Sequence, residues 1–232
     1  MKDNEDNKKI QIIKDGPFIV SGNVPLTLEQ MVPDENGASI SYKKVKTYET
    51  VESYALCRCG HTHHSPFCDG MHEEVGFTAE PGEHKIYAEE AVVIKGRTTE
   101  LLDQDELCVG ARFCDRFGGV WALARSSRNN HPEYERAEIE EACLCPAGRL
   151  TVRKDGVEIE FEFPREIALL EDIYNEMKGP IFVKGGISIV DENGDEYEIR
   201  NRRTLCRCGE SENKPFCDAS HFYCEHMEGS DL

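Results

Sequence analysis

The sequence has no long apolar segment and comparatively few basic residues. No run of about 18 apolar residues occurs, so no segment is predicted to span a membrane. Its 27 Lys and Arg residues are outnumbered by 45 Asp and Glu residues, which gives a formal net charge of −18. Because nucleic-acid binding depends on clustered Lys and Arg, nucleic acid is not an expected partner. The acidity keeps the protein soluble and, in a second interpretation, suits a basic protein partner.

Targeting and catalytic motifs are also missing. Residues 1–9 resemble neither a signal peptide nor an Arg-rich, acid-poor transit peptide, and they read as a disordered tail. A cytoplasmic location is therefore expected. The sequence shows no Ser/His/Asp order, no phosphate-binding glycine loop and no zinc-protease helix. We therefore expect no enzymatic activity.

Cysteine, in contrast, is abundant and concentrated. The eleven cysteines are an odd number, and they are grouped rather than spread as a disulfide framework would be. Three groups contain ten of them, and Cys224 is left over. Grouping of this kind in a cytosolic chain indicates metal or redox chemistry.

Two of the groups share the pattern Cys-x-Cys-x8-Cys-x3-His. The pattern occurs 149 residues apart, as Cys57, Cys59, Cys68 and His72, and as Cys206, Cys208, Cys217 and His221. Three soft thiolates and one imidazole in a short polar loop suit a metal ion or an iron–sulfur cluster.

These two loops resemble the CDGSH iron–sulfur (NEET-type) family, whose signature is Cys-x-Cys-x2-Ser/Thr-x3-Pro-x-Cys-Asp-Gly-Ser/Ala/Thr-His. Most other signature positions are kept: Thr62, Pro66, Asp69 and Gly70 in the first loop, and Ser211, Pro215 and Asp218 in the second. Met71 stands where a small residue is usual, and Ala219 replaces the glycine, whose positive φ it would resist. The resemblance implies that each loop holds one [2Fe-2S] cluster through its four ligands.

A histidine ligand gives such a site particular properties. Replacing a thiolate by neutral imidazole removes negative charge and raises the reduction potential, as in Rieske centres. Imidazole also competes for protons near pH 6 to 7. The site could therefore accept an electron, couple it to a proton, or release its cluster in acid, without any substrate pocket.

The repeat extends beyond the loops themselves. Two short sequences precede each loop in the same order: Gly-Pro at 16–17 and 179–180, and Asp-Glu-Asn-Gly at 34–37 and 191–194. Asn-Gly between β-like runs predicts a hairpin, and Ile10–Ile13 and Phe18–Val20 are such runs. Single NEET domains dimerise through exchanged strands, so the resemblance implies a monomeric intramolecular pseudo-dimer. The expected CDGSH units are 10–78 and 177–226, followed by a tail at 227–232.

The intervening segment, 79–176, is predicted to be a small α+β domain, which makes the whole chain α+β and rich in β-structure. We expect strands at His84–Tyr87, Ala91–Ile94, Leu150–Val152 and Val157–Phe163, a helix or turn-rich loop at Leu101–Phe117, a helix at Pro132–Ala142, and a helical apolar stripe from Ile167 to Met177.

Four cysteines lie in this segment. Cys108 and Cys114 flank Ala111 in a ferredoxin-like spacing that lacks its middle cysteine, and Cys145-Pro146 supplies the distant Cys-Pro. The segment thus resembles a divergent single-cluster ferredoxin-like domain. Three thiolates would suit [3Fe-4S], whereas Cys143 as a fourth ligand would complete [4Fe-4S]. Zinc, or merely buried thiols, remain alternatives.

The other candidates carry simpler interpretations. His61, His63 and His64 could tune the first loop but are expected to be solvated, and Cys224 could be a spare ligand or a free thiol near a disordered tail. Taken together, the ligands predict a non-enzymatic iron–sulfur protein for electron transfer, or for cluster storage and transfer, with a redox or cluster-acceptor protein as partner. The alternatives are a redox or iron sensor that acts through protein contacts, and a zinc-stabilised interaction module.

Overall fold

The structure is a computed structural model that describes residues 7–80, 82–126 and 131–232. Residues 1–6 of the predicted N-terminal tail lie outside this range. Within it, no helix is both long and apolar enough to cross a bilayer.

The described residues are rich in β-structure and have few helices. The strands are β1 (Lys9–Ile12), β2 (Phe18–Ser21), β3 (Leu26–Pro33), β4 (Ser39–Tyr48), β5 (Ser53–Leu56), β6 (Val92–Lys95), β7 (Glu100–Asp103), β8 (Leu150–Lys154), β9 (Val157–Ile159), β10 (Ile167–Asp172), β11 (Met177–Lys184), β12 (Ser188–Val190) and β13 (Arg202–Leu205). The α-helices are α1 (Met71–Glu74), α2 (Tyr87–Glu90), α3 (Val120–Arg125) and α4 (Pro132–Leu144), and short 3₁₀ turns cover Asp105–Leu107, Phe113–Gly118, Ser220–Tyr223 and Glu225–Met227. This composition agrees with the α+β class.

Two of the three sheets combine strands from both ends of the chain. The first sheet has the order β12-β1-β2-β5, and the second has the order β13-β11-β10-β3-β4. Strand β12 pairs in parallel with β1, while β3 pairs in parallel with β10. The first sheet therefore receives β12 from the C-terminal part of the chain, and the second receives β3 and β4 from the N-terminal part. Each sheet ends in the strand that enters a ligand loop, β5 or β13.

The repeated Asp-Glu-Asn-Gly sequence forms the same turn in both places, which confirms the predicted hairpins. Asp34 Oδ1 accepts the N–H groups of residues 36 and 38 at 2.8 and 3.0 Å, and Asp191 Oδ1 accepts those of 193 and 195 at 2.8 and 2.9 Å. An aspartate that bonds the backbone two residues on is the usual Asx turn. The glycine that closes each turn has a positive φ.

The third sheet, β6-β7-β8-β9, lies in the intervening segment together with α3 and α4. Helix α4 confirms the helix predicted at Pro132, and Leu101–Phe117 is turn-rich as expected. The strand predicted at His84–Tyr87 is wrong. Tyr87 instead begins α2 and turns its ring inward, where its hydroxyl donates to the carbonyl oxygens of Leu102 and Arg149 at 3.0 and 2.8 Å.

The helix predicted between Ile167 and Met177 is also wrong, because these residues belong to β10 and the start of β11. Strand β10 is the central strand of its sheet and every one of its residues is buried. A strand covered on both faces reads as a continuous apolar run, and such a run can match a helical stripe by chance. Because β10 pairs with β11 and β3, it lies in the second sheet although it precedes residue 177.

The intervening segment packs on the second sheet. The Tyr42 ring on β4 lies 4.6 Å from Phe113 and 5.6 Å from Phe182, centroid to centroid, and its hydroxyl donates to the Leu144 carbonyl at 2.6 Å. Arg112 forms a two-pronged ion pair with Asp172 at 2.6 and 2.9 Å. These contacts fix the 108–114 loop against the sheet that carries the second ligand loop.

A buried carboxyl on α4 gives a pH-dependent prediction. Glu141 has no exposed surface, neither of its carboxylate oxygens has a hydrogen-bond partner, and burial raises its pKa from 4.5 to about 8. The unfolded chain releases this proton at lower pH than the folded chain does. The free energy of unfolding should therefore fall as pH rises from about 4.5 to about 8, by at most about 1.4 kcal/mol per pH unit.

Glu141→Gln should remove that slope, which denaturant unfolding at a series of pH values would measure. Glu133→Gln on the same helix is the control, because the Glu133 side chain is exposed. An equal slope in the Glu141→Gln variant and the parent protein would contradict the assignment.

Candidate metal centres

The two Cys-x-Cys loops are built in the same way. Each begins where its entering strand ends, and the first cysteine donates its N–H to the carbonyl of the loop proline: Cys57 to Pro66 and Cys206 to Pro215, both at 2.9 Å. A single antiparallel bridge then returns the chain beside the strand, Leu56 to Phe67 and Leu205 to Phe216. The third cysteine of each loop follows this bridge directly.

An aspartate and a hydroxyl brace each loop from inside. Asp69 Oδ2 accepts the N–H of His63, and Asp218 Oδ2 accepts that of Glu212, both at 2.8 Å. The hydroxyls of Thr62 and Ser211 donate across their loops to the carbonyl oxygens of residues 67 and 216 at 2.6 and 2.7 Å. The N–H of His63 lowers the pKa of Asp69, so this carboxylate stays charged and holds the loop closed. These side chains explain the Thr/Ser and Asp positions of the signature.

The four candidate ligands of each loop lie together as two pairs. In the first loop the Sγ atoms of Cys57 and Cys59 are 3.6 Å apart, and Cys68 Sγ is 3.4 Å from His72 Nδ1. The second loop repeats these separations: 3.6 Å between the Sγ atoms of Cys206 and Cys208, and 3.4 Å between Cys217 Sγ and His221 Nδ1. Two sulfurs on one tetrahedral metal are about 3.8 Å apart, so each pair has the separation expected of two ligands on one metal atom.

This pairing fits a two-iron cluster better than one zinc ion. In the described residues, no three His, Cys, Asp or Glu side chains converge as ligands of a single metal ion must. A [2Fe-2S] cluster instead needs two ligands at each iron, with the two pairs separated by the cluster itself. When bound there, such a cluster would supply a one-electron couple, and Nδ1 is the imidazole atom placed to bind it.

Hydrogen bonding prepares the leading thiol of each loop as a ligand. Hydrogen bonds from the Cys59 thiol and from the N–H groups of residues 60 and 62 lower the pKa of Cys57. The same arrangement, with Cys208 and the N–H groups of 209 and 211, lowers the pKa of Cys206. Thiolate is the form that binds iron, so this shift favours the ligand state.

The residue after the loop aspartate adopts a left-handed conformation in both copies. Gly70 has φ 95° and ψ −5°, and Ala219 has φ 73° and ψ 4°. The alanine therefore follows the glycine geometry instead of altering the loop. A residue with a Cβ is strained in this region by roughly 1–2 kcal/mol.

Three of the four middle cysteines line one cavity. Cys108, Cys114 and Cys145 surround it, with Ala111 in its wall where a ferredoxin would have its middle cysteine. Cys143 lies elsewhere, since its fully buried thiol donates to the Ile159 carbonyl at 3.4 Å. The structure thus brings together the three residues of the ferredoxin-like spacing and separates Cys143 from them.

Several arginines that sequence reasoning missed hold these sites in place. The arginine between the paired cysteines is buried in both loops: Arg58 donates to the Ile13 carbonyl at 3.2 Å, and Arg207 donates to the Gly179 carbonyl at 2.7 Å. The Arg202 side chain has no exposed surface; it bonds Glu160 and donates to the carbonyl oxygens of Ala142 and Cys145 at 2.6 and 2.7 Å. The repeated Cys-Arg-Cys was the available signal for the first two, and no sequence signal marks Arg202.

The histidines of the first loop are exposed, as expected. His63 and His64 lie at its surface, each with Nδ1 3.4 Å from Asp69. His61 pairs with His226, with ring centroids 4.7 Å apart, and His226 Nε2 donates to the Cys208 carbonyl at 2.9 Å. His226, to which the sequence assigned no role, therefore links the two loops.

Cys224 and the residues after it are ordered, so the predicted disordered tail around this thiol is wrong. Cys224 is buried in a cluster with Cys206, Cys208, Met177 and Met227. Its thiol donates to the Ser220 carbonyl at 3.3 Å. Asp231 pairs with Arg207 at 2.6 Å and accepts from the Ser65 hydroxyl at 2.8 Å, which anchors the C-terminal residues.

Loops of this architecture, with paired thiolate and imidazole ligands, are those of an iron–sulfur protein. Comparison with known families identifies which kind: the family described as iron-binding zinc finger, CDGSH type, matches residues 15–73 and 178–222. The chain therefore contains two CDGSH-type segments, consistent with a protein that carries the motif in tandem. Searches of curated proteins and of solved structures give no match to this chain.

The left-handed residue provides a matched pair of test substitutions. Ala219→Gly should raise the free energy of unfolding by about 1 kcal/mol, because it relieves the strain of a Cβ at positive φ. Gly70→Ala should lower it by a similar amount. An added Cβ at Gly70 meets no atom within 4 Å. The change in the free energy of unfolding of the Gly70→Ala variant therefore measures the backbone strain alone.

Denaturant unfolding of the two single variants and the double variant would measure both changes in the free energy of unfolding. The two changes should cancel in the double variant. A loss of stability on Ala219→Gly would contradict this reading of the loop.

Proposed function

We propose that the protein is a cytoplasmic, non-enzymatic electron-transfer protein with three iron–sulfur centres. Two are [2Fe-2S] clusters, bound by Cys57, Cys59, Cys68 and His72, and by Cys206, Cys208, Cys217 and His221. The third is bound by Cys108, Cys114 and Cys145. Its partner is a redox protein, and the protein acts as a monomer.

The observation that carries this proposal is the division of each loop's ligands into two close pairs. That arrangement is what two bridged iron atoms require, and it is repeated within 0.1 Å in the second loop. The CDGSH family match independently implies iron–sulfur binding. Several such centres in one small protein suit the passage of electrons between them.

The pseudo-dimer belongs to the same proposal. Strands β1, β2 and β5 correspond in order to β10, β11 and β13, and each set leads into one ligand loop. The exchanged strands β3 and β12 pair in parallel with the first strand of the opposite set. This correspondence supports two interlocked CDGSH units, of which the second begins at β10 rather than at residue 177. The β6–β9 sheet would then be an inserted ferredoxin-like domain.

For the third centre, the three thiols around one cavity favour a three-cysteine site. Cys143 faces β9 through its bond to Ile159 and is not positioned as a fourth ligand. Arg149 lies beside the site; hydrogen bonds to Asp103 and Cys108 outweigh burial and raise its pKa, so it stays cationic. Three thiolates suit [3Fe-4S].

Cluster transfer is a second candidate, favoured by one specific observation. In the first loop Cys68 and His72 are only half-buried, whereas their counterparts Cys217 and His221 are 2% and 3% exposed. A cluster bound through accessible ligands can be passed to an acceptor protein. A sensor that signals by losing its cluster would use the same feature.

The acidic charge supports a basic partner. A formal net charge of −18 attracts a basic protein at long range and raises the rate of encounter. Such steering weakens with ionic strength, which gives electron transfer to a basic acceptor a salt dependence.

Metal analysis tests the cluster assignment. Anaerobically purified protein should be red-brown, with more iron and acid-labile sulfide than two [2Fe-2S] clusters supply. Zinc as the only metal would overturn the proposal. Iron and sulfide equal to two such clusters would remove the third centre alone.

Cysteine substitutions test the third centre. Cys145→Ala should lose the iron that exceeds the two CDGSH clusters, because it removes one of three ligands. Cys143→Ala is the matched control and should keep that iron, since its thiol lies away from the cavity. Iron and sulfide content with EPR spectra would be measured for both variants. Equal loss of iron from the two variants would indicate that Cys143 is also a ligand.

Kinetics separate the candidate functions. Reduced protein mixed with cytochrome c, a basic acceptor, should be reoxidised rapidly while its visible cluster absorbance in the oxidised state is preserved. The rate should fall as salt concentration rises. Slow reoxidation combined with reconstitution of an apo-ferredoxin would favour cluster transfer instead.

A further inference from the structure

We propose that the two CDGSH sites, despite their identical ligands, have different roles. The second site, in loop 206–221, lies beside the middle cysteines and transfers electrons within the chain. The first site, in loop 57–72, is the point of exchange with solution and with the partner. This inference rests on the proposed function, which by itself leaves the two sites equivalent.

The second loop is joined to the middle segment by contacts at three separate points. A Cβ added to Gly110, between Cys108 and Cys114, would lie 2.5 Å from the Phe222 ring. Asn213 Nδ2 donates to the Glu106 carbonyl at 3.2 Å. Arg202, on the strand that enters the second loop, donates to the Cys145 carbonyl at 2.7 Å. The segment that carries the middle cysteines therefore packs directly against the second ligand loop and its entering strand.

The residue after the ligand histidine decides how accessible each site is. In the second loop this is Phe222, whose ring lies 4.4 Å from the His221 ring, centroid to centroid, and against Gly110. In the first loop it is Glu73, which is exposed and lies on a short helix that buries no residue. One histidine is therefore covered by an aromatic ring and a neighbouring loop, while the other is covered by neither.

The two CDGSH loops also touch each other. A Cβ at Gly60 would lie 2.6 Å from the Cys208 carbonyl oxygen, and a Cβ at Gly209 would lie 2.6 Å from that of Cys59. Both glycines have positive φ, so the backbones meet at two reciprocal points. The first loop is completed by C-terminal residues, through His61 on His226 and Ser65 on Asp231.

These contacts define an order of middle site, second loop, first loop. The second loop touches both neighbours and its four ligands are buried, so it suits transfer within the chain. The first loop lies at the end of the series, and two of its four ligands, Cys68 and His72, are half-buried. It is therefore the site at which a chelator, a redox reagent or a partner protein gains access.

Accessibility tests this assignment directly. In the full protein with excess EDTA, loss of visible CDGSH absorbance should show a fast phase from the first site and a phase several-fold slower from the second. Phe222→Glu, which gives the second loop the residue of the first, should accelerate the slow phase and leave the fast phase unchanged. Glu73→Phe is the matched control and should change neither phase, because position 73 is exposed and a ring there has no neighbouring loop to pack against.

A second measurement does not depend on release. In the dithionite-reduced protein, a soluble paramagnetic ion should relax the EPR signal of the first site strongly and that of the second weakly. Cys217→Ala and Cys68→Ala, each of which leaves one CDGSH site, assign the two signals. Equal relaxation of both signals, or a single release phase for both sites, would overturn the proposal.

Removing the middle site tests the order. Cys108→Ala, introduced into each single-site variant, should shift the midpoint potential of the second site and leave that of the first unchanged, since electrostatic coupling falls with distance. Shifts of equal size, or a shift of the first site alone, would refute the order. Failure of the proposed function would be distinct, because zinc or iron-free protein would give no cluster signals at all.

Discussion

The pairing of β3 with β10 and of β12 with β1 is the constraint on which the rest of the structure depends. Neither strand could add to its sheet unless both ends of the chain were folded together, so the two ligand loops form as one unit. The entering strands β5 and β13 form the edges of their sheets on the side away from β12 and β3. Because the backbones then meet at Gly60 and Gly209, only glycine fits at either contact point.

Arg202 extends this dependence to the intervening segment. A guanidinium with no exposed surface is costly unless every donor finds an acceptor, and here Glu160 and three carbonyl oxygens provide them. Two of the carbonyls belong to residues 142 and 145, at the end of α4. The strand that enters the second loop is thus fastened to the loop that holds a middle cysteine. The middle segment is in this way tied to one CDGSH site rather than to both.

Much of the candidate site could be predicted from the sequence, since short spacings fix which ligands come together. Cys-x-Cys and Cys-x3-His place neighbours within reach, and both pairs are found. Contacts that depend on the packing of distant segments could not be predicted. The run at Ile167 looked helical because a strand buried on both faces loses its alternation. From the sequence, Cys143 was a possible fourth ligand because it lies two residues before Cys145. That spacing does not give the direction of its side chain, which the contact with β9 determines.

The asymmetry between the sites shows how identical ligands can acquire different properties. The two loops are internally alike, since their bracing hydrogen bonds are the same. What differs is the surroundings: Phe222 against Gly110 on one side, Glu73 in solvent on the other. Burial lowers the pKa of His221 to about 4, which keeps its imidazole neutral and available as a ligand at neutral pH. Packing outside the motif, rather than the motif itself, therefore sets the behaviour of each site.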